Sequence, residues 1–322
     1  MSRSTANGSV PAMIERRAVT EAASRIYQYI RHTPLLRATG DDFSTSAPVA
    51  LKLELLQHAG SFKPRGAFNR LLAAPVRPER VIAASGGNHG AAVAYAAHVL
   101  GIKAEIFVPM ATPPLKIARI AGYGARVVQG GETYAEALAA SRLRLAETGA
   151  LEVHAYDHAD VLAGQGTVGR ELEQDAPELT HILVATGGGG LIGGIAAWYA
   201  GSASVISVEP EGCPALHDAL AAGKPVNASV GGVAADSLGA RQVGTEMFPL
   251  AQRFVSAAVL VADEAILAAQ LMLWDRFRLV VEPGGATAAA ALLSGRFRPP
   301  AGAQVGVVIC GANTDPRTVW PG

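Results

Sequence analysis

The chain has 322 residues with 27 Lys+Arg against 27 Asp+Glu, so its formal net charge is zero. That balance excludes the basic excess with which a nucleic-acid or anionic-membrane binder neutralises phosphates. Half of the residues are apolar and only 17% are charged, against roughly 25% in an average soluble domain, so much of the chain is expected to be buried.

The N-terminus, Met1 to Pro11, is polar and lacks the apolar core of a signal peptide. Ile14 to Ile30 carries apolar residues at helical spacing and predicts an amphipathic helix, which His32-Thr33-Pro34 ends. Val49 to Leu55 reads as a strand, and Pro64 opens a helix. Strand then alternates with helix: Val81–Ala84 and Asn88–Leu100, Ala104–Val108 and Pro114–Tyr123, Arg126–Val128 and Glu132–Glu147. Helix Asp160–Gln174, strand Ile182–Ala185, helix Leu191–Ala200 and strand Val205–Val208 follow. Beyond a Gly-rich passage at Val230 to Gly239 come strand Val259–Val261, helices Asp263–Phe277 and Gly284–Leu293, and strand Val305–Ile309. From Thr180 to Val208 there is no Asp, Glu, Lys or Arg, long enough to cross a bilayer. Seven glycines and three serines break that stretch, so it reads as strand, loop, helix and strand. Repeated βα units with nearly uncharged strands predict an α/β fold of parallel-rich sheets covered by helices. Two cysteines, Cys213 and Cys310, make neither a disulfide framework nor a zinc site, which fits a reduced, cytoplasmic protein.

Chemistry in such folds sits where strands open through glycine-rich turns into helices, and four such turns stand out. In Gly60-Ser61-Phe62-Lys63-Pro64-Arg65-Gly66, Lys63 lies beside Phe62 and before the proline of a helix start. An isolated lysine is ordinarily a solvated charge; here desolvation and the positive helix end favour the neutral amine that Schiff-base chemistry requires. Ser85-Gly86-Gly87-Asn88-His89-Gly90 reads equally as an ordinary strand–helix turn or as a backbone-amide site for a carboxylate. Gly187-Gly188-Gly189-Gly190 can wrap amides around a phosphate. It also contains Gly188-x-Gly190-x-x-Gly193, with Glu209 at the next strand end, so the spacing alone leaves a nicotinamide-dependent oxidoreductase open. Glu282-Pro283-Gly284-Gly285 and Cys310-Gly311-Ala312-Asn313 also sit at strand-to-turn positions, although a buried cysteine is usually a small core residue.

Together SFKPRGA, SGGNHG, AGQGT (Ala163–Thr167), GGGGLIGG, VEPGGA and CGAN, in this order from Ile14 to Thr314, resemble the fold-type II pyridoxal-phosphate enzymes. More narrowly, the chain is similar to the serine/threonine dehydratase and serine racemase branch. The resemblance implies a tryptophan synthase β-like fold with a large domain, 1–77 and 150–322, a small domain, 78–149, and pyridoxal 5'-phosphate in the crevice between them. It implies that Lys63 carries the cofactor aldehyde beside Phe62, that Gly187, Gly188, Gly189, Gly190 and Leu191 hold the phosphate, and that Asn88 bonds the ring oxygen. Cys310 falls against the ring nitrogen and Glu282 also lies at the cofactor. Ser85, Gly86, Asn88 and His89 take the substrate carboxylate. A thiol does not enforce protonation of the ring nitrogen, and the weaker electron sink suits β-elimination. The expected reaction is PLP-dependent dehydration and deamination of L-threonine or L-serine to a 2-oxo acid and ammonia, by a homodimer with a small amino-acid substrate and neither nucleic acid nor membrane as partner. Freed Lys63 would remove the Cα proton, and the β-hydroxyl would leave with a proton from the cofactor phosphate.

Several positions depart from the pattern. Gly86 stands where racemases of this branch carry a serine as second base, so racemisation is expected to be slight. Some relatives bind Mg²⁺ or Ca²⁺ through a glutamate and an acid six positions on; Glu209 fits, but position 215 is alanine, and no metal is expected unless Glu211 or Asp236 compensates. Tyr156 stands where relatives carry Asn or Phe facing the cofactor, and it either tunes substrate choice or only packs. The chain stops soon after Asn313, so an appended regulatory domain is not expected. Serine racemase and 3-hydroxyaspartate dehydratase are the alternatives within the family. The latter needs a cation or donor for its extra carboxylate, no single residue identifies one, and Arg65, Arg119 and Arg241 read as surface charges.

Overall fold

A computed structural model describes residues 13–319. In chain order the elements are α1 (Arg16–Ile26), β1 (Leu35–Ala38), β2 (Val49–Lys52), α2 (Lys63–Leu72), β3 (Arg80–Ala84), α3 (Asn88–Leu100), β4 (Lys103–Val108), α4 (Pro114–Gly122), β5 (Arg126–Gln129), α5 (Tyr134–Thr148) and β6 (Leu151–Glu152). They continue with α6 (Ala159–Asp175), β7 (His181–Ala185), α7 (Gly190–Tyr199), β8 (Ser204–Pro210), α8 (Ala215–Ala222), α9 (Ala235–Leu238), α10 (Phe248–Phe254), β9 (Val255–Val261), α11 (Asp263–Phe277), α12 (Pro283–Leu293), β10 (Val305–Val308) and α13 (Pro316–Val319).

The strands form two sheets. The larger has the order β1-β2-β10-β7-β8-β9, parallel except for the antiparallel edge pair β1–β2; the smaller is the all-parallel β5-β4-β3-β6. The strand β6 that completes the small sheet lies just beyond the boundary expected at residue 149. Each sheet owns a core. Val49, Leu51, Ile182, Val184, Ile206 and Val307 pack with α7 and α12, whose apolar residues run all round, as they must in a helix with no solvent face. On the small sheet, Val81, Ala83, Ile106 and Val108 pack against α3 and against Phe68 and Leu71 of α2. Ile82, Ala84 and Phe107 face α5 on the other side. Among the described residues no helix is long and apolar enough to cross a membrane.

The AGQGT segment lies within α6 and acts through packing. A Cβ on Gly164 would meet the Arg65 carbonyl oxygen at 2.5 Å, and one on Gly194 would meet the Leu162 carbonyl oxygen at 2.3 Å. The missing side chains let α6 lie directly against α2 and α7, fixing the helix that begins with Lys63.

Arg65 corrects the surface-charge reading. Its guanidinium is fully buried, bound to Glu54 at 2.7 Å and to Glu171 at 2.7 Å, while buried Lys52 also pairs with Glu171 at 2.7 Å and reaches Asp175 at 3.1 Å. This cluster joins β2, α2 and α6. Burial alone would raise the Glu171 pKa, but the charges of Arg65 and Lys52 hold it down at about 2.

Candidate active site

Strand order explains why distant motifs meet. β2, β10 and β7 are parallel neighbours, so the turns leaving their carboxyl ends, at Lys63, at Cys310 and at the four glycines, emerge side by side. Backbone bonds stitch two of these turns together: Phe62 N–H donates to Cys310 O at 3.2 Å, and Ala312 N–H to Gly60 O at 3.0 Å. Glu282 N–H donates to Gly311 O at 3.2 Å, adding the start of α12.

Lys63 is half-buried at the first turn of α2, its Nζ donating to Ala155 O at 2.9 Å and lying 5.1 Å from the Phe62 ring centroid. Desolvation lowers its pKa to about 8, against opposing pulls from Cys310 and Glu282. A fraction of the amine is therefore neutral near neutral pH, as a nucleophilic lysine requires. Cys310 is buried, with its thiol facing Gly284 O at 3.5 Å, and burial pushes its pKa up, so the sulfur keeps its proton.

The four glycines end β7 and start α7. Gly189 has φ +89, and no side chain caps the helix, so its first N–H groups are free of intrahelical partners. Every Cβ built there would collide: with Leu238 O at 2.8 Å from Gly187, Tyr156 Cδ1 at 2.4 Å from Gly188, Met247 Cε at 2.4 Å from Gly189 and Tyr156 Cβ at 2.9 Å from Gly190. Leu191 is buried behind them. Uncapped amides on a backbone that admits no side chain suit an anionic phosphate, so these residues fit the expected cofactor. Tyr156 packs on this loop, its hydroxyl donating to Gln242 O at 3.2 Å.

The Ser85–Gly90 turn lies at the carboxyl end of β3, in the small sheet. Ser85 Oγ accepts from Gly87 N–H at 3.2 Å, and a Cβ on Gly90 would lie 2.0 Å from Ser85 O, so only glycine fits. The His89 ring is buried and turned away from this turn. Desolvation drives its pKa to about 3, and Nε2 donates to Val153 O at 2.7 Å as the neutral tautomer. Only the His89 backbone is left for a carboxylate. At Gly86 a Cβ would lie 2.8 Å from Thr112 Cγ2.

A cavity of ≈20 Å³, about the room of one water, remains between the lobes; Gly86, Gly87 and Asn88 line it on one side, Ser237 and Glu282 on the other. Lys116, Arg119, Asp236 and Asn313 also line it; none of the four was expected from sequence to bind cofactor or substrate, Arg119 being read as a surface charge and Asp236 only as a candidate metal ligand. Lys116 and Arg119 share one face of α4 through i,i+3 spacing, the one sequence signal that could have found them. Lys116 pairs with Asp236, and Arg119 donates to Asn313. Asn88 Nδ2 donates to Glu282 Oε1 at 2.5 Å, and burial raises the Glu282 carboxyl to about 7.

Glu209 lies elsewhere. It is fully buried, accepting from the N–H groups of Leu216 at 2.6 Å and His217 at 2.8 Å at the start of α8, and burial raises its pKa to about 8. Its oxygens are thus engaged by backbone rather than turned to a ribose. Glu211 pairs with Arg296, and among the described residues no group of three or more His, Cys, Asp or Glu side chains is arranged to hold a metal.

Comparison with known proteins places this geometry. The family profile described as pyridoxal-phosphate dependent enzyme matches residues 26–311. The chain is 38% identical over 312 residues to an L-threonine ammonia-lyase of Geobacter sulfurreducens, covering 95% of this chain and 77% of that protein. It is 37% identical to a phenylserine dehydratase of Ralstonia pickettii, covering 94% of each. Maize serine racemase has the same fold with a TM-score of 0.90 and 32% identity, over 96% of both chains.

Proposed function

Because the chain belongs to the pyridoxal-phosphate dependent enzymes, we propose that it dehydrates and deaminates a β-hydroxy amino acid, L-threonine or L-serine, to a 2-oxo acid and ammonia. Pyridoxal 5'-phosphate is the cofactor, and when bound it would supply the electron sink that acidifies the substrate Cα–H. Lys63 Nζ, with its pKa lowered to about 8, would link the cofactor at rest and take the Cα proton during turnover. The N–H groups of Gly187 to Leu191 would hold the phosphate, Phe62 would wall the ring, Asn88, held by Glu282, would donate to the ring oxygen, and Cys310 would meet the ring nitrogen with a neutral thiol. Ser85 and the amides from Gly86 through Asn88 to His89 orient the substrate carboxylate. Loss of the Cα proton and the β-hydroxyl removes one water; the released enamine takes one water back to yield the oxo acid and ammonia. The same reading divides the protein into a large domain, 1–77 and 150–322, and a small one, 78–149. It takes the protein as cytoplasmic, supported by two buried unbridged thiols, and as a homodimer, supported by the resemblance alone.

One observation carries this reading: a half-buried amine of lowered pKa at the junction of three turns, beside an uncapped glycine-lined helix start. Protein loaded with cofactor should release equal 2-oxo acid and ammonia from L-threonine or L-serine in a panel that includes phenylserine and 3-hydroxyaspartate. Lys63→Ala should abolish that release. Nicotinamide reduction, or no oxo acid from any member of the panel, would contradict the proposal.

A further inference from the structure

Four side chains form one directed chain across the cleft. Arg119 Nη1 on α4 donates to Asn313 Oδ1. Asn313 Nδ2 donates to Ala59 O at 2.9 Å and to Asn88 Oδ1. Asn88 Nδ2 donates to Glu282 Oε1 at 2.5 Å. An amide side chain can sit either way round, and its hydrogen-bond partners decide which. Arginine only donates, so Asn313 must turn its oxygen to it and its nitrogen to Asn88. Asn88 must then accept on its oxygen and present its nitrogen to Glu282 and beyond. The surrounding backbone is shaped to the same arrangement. A Cβ on Gly60, at φ +74, would lie 2.5 Å from Asn313 Oδ1, and one on Gly311 would lie 2.1 Å from Glu282 Oε1.

We infer that Arg119 and Asn313 are positioning residues that fix which end of the Asn88 amide donates, and so set the hydrogen bond Asn88 gives the cofactor's ring oxygen. The inference rests on the functional reading above. Arg119 and Asn88 both belong to the lobe of the small sheet, whereas Asn313 follows β10 of the large one, so the orienting cation acts on Asn88 through a residue across the cleft. One turn away, Lys116 pairs with Asp236 and holds α4 in place. Arg119 is exposed, so replacing it leaves the core intact.

The readout is the pH midpoint of the visible band of the lysine-linked cofactor in the holoenzyme. A donor to the anionic ring oxygen weakens that oxygen's hold on the proton shared with the lysine nitrogen, so losing the donor raises the midpoint. Arg119→Ala and Asn313→Ala should each raise it by about one pH unit, the worth of one hydrogen bond, and should weaken cofactor binding several-fold in reconstitution. Arg119→Lys, which still donates, should stay near the wild-type midpoint. Unchanged midpoints in both alanine variants would overturn the inference, as would equal shifts in Arg119→Lys and Arg119→Ala. A raised KM for substrate with an unmoved midpoint would also overturn it, by showing that Arg119 binds substrate directly. A wild-type protein that shows no band after loading would refute the functional reading itself.

Discussion

Gly86 has no proton to give, and the methyl of Thr112 fills the space where a side chain there would begin. With no donor at position 86, a proton taken by Lys63 would be given back from the Lys63 side, which would keep the configuration of the substrate. After half conversion of L-serine, chiral chromatography should find the remaining amino acid still L, with no more than a trace of D-serine. Extensive D-serine would contradict this account of position 86. Lys63 and the glycine turns drew attention through local pattern, whereas the expected roles of Asn88 and Cys310 came from the resemblance of the motifs that hold them. Arg65 was not legible: its partners Glu54 and Glu171 come from other elements, and a guanidinium without visible counter-charges reads as exposed. Arg119 and Asn313 escaped for the same reason, since their partnership spans the cleft.

At the scale of elements, long periodic segments were legible and short ones were not. The helices at Asn88–Leu100 and Asp263–Phe277 form with the expected bounds. α1 stops at Ile26, short of the expected Ile30, because the approach to Pro34 is a turn. β1, β6, α8, α9, α10 and α13 were not anticipated; each is short, and tertiary packing rather than local pattern holds it. The buried cluster of Lys52, Glu54, Arg65 and Glu171 shows how such pairing works, since it locks β2, α2 and α6 into the arrangement that presents Lys63. The Glu171 pKa, held near 2, lies below its unfolded value, so its contribution is complete above about pH 4.5 and is lost as pH falls toward 2. Urea unfolding should show stability falling between pH 5 and 2, and Glu171→Gln should be less stable at pH 7 with a shallower acid slope. An unchanged slope in that variant would place the acid sensitivity elsewhere.

Over the whole molecule, the alternation of strand and helix made two-sided parallel sheets legible, and with them the location of chemistry at strand carboxyl ends. Strand order was not legible from local pattern. β2 lies beside β10, and β10 beside β7, pairings between segments far apart in the chain that no window of sequence reports. Those pairings bring the Lys63, Cys310 and tetraglycine turns together, while the small sheet brings the Ser85–Gly90 turn to face them, so the site is a property of topology. The most direct measurement is borohydride reduction of the cofactor-loaded protein followed by mass mapping of its peptides. The account requires the reduced pyridoxyl group on the peptide containing Lys63, with the visible band lost in step. A pyridoxyl group on Lys52 or Lys116 instead, or a yellow protein with no labelled lysine, would contradict it.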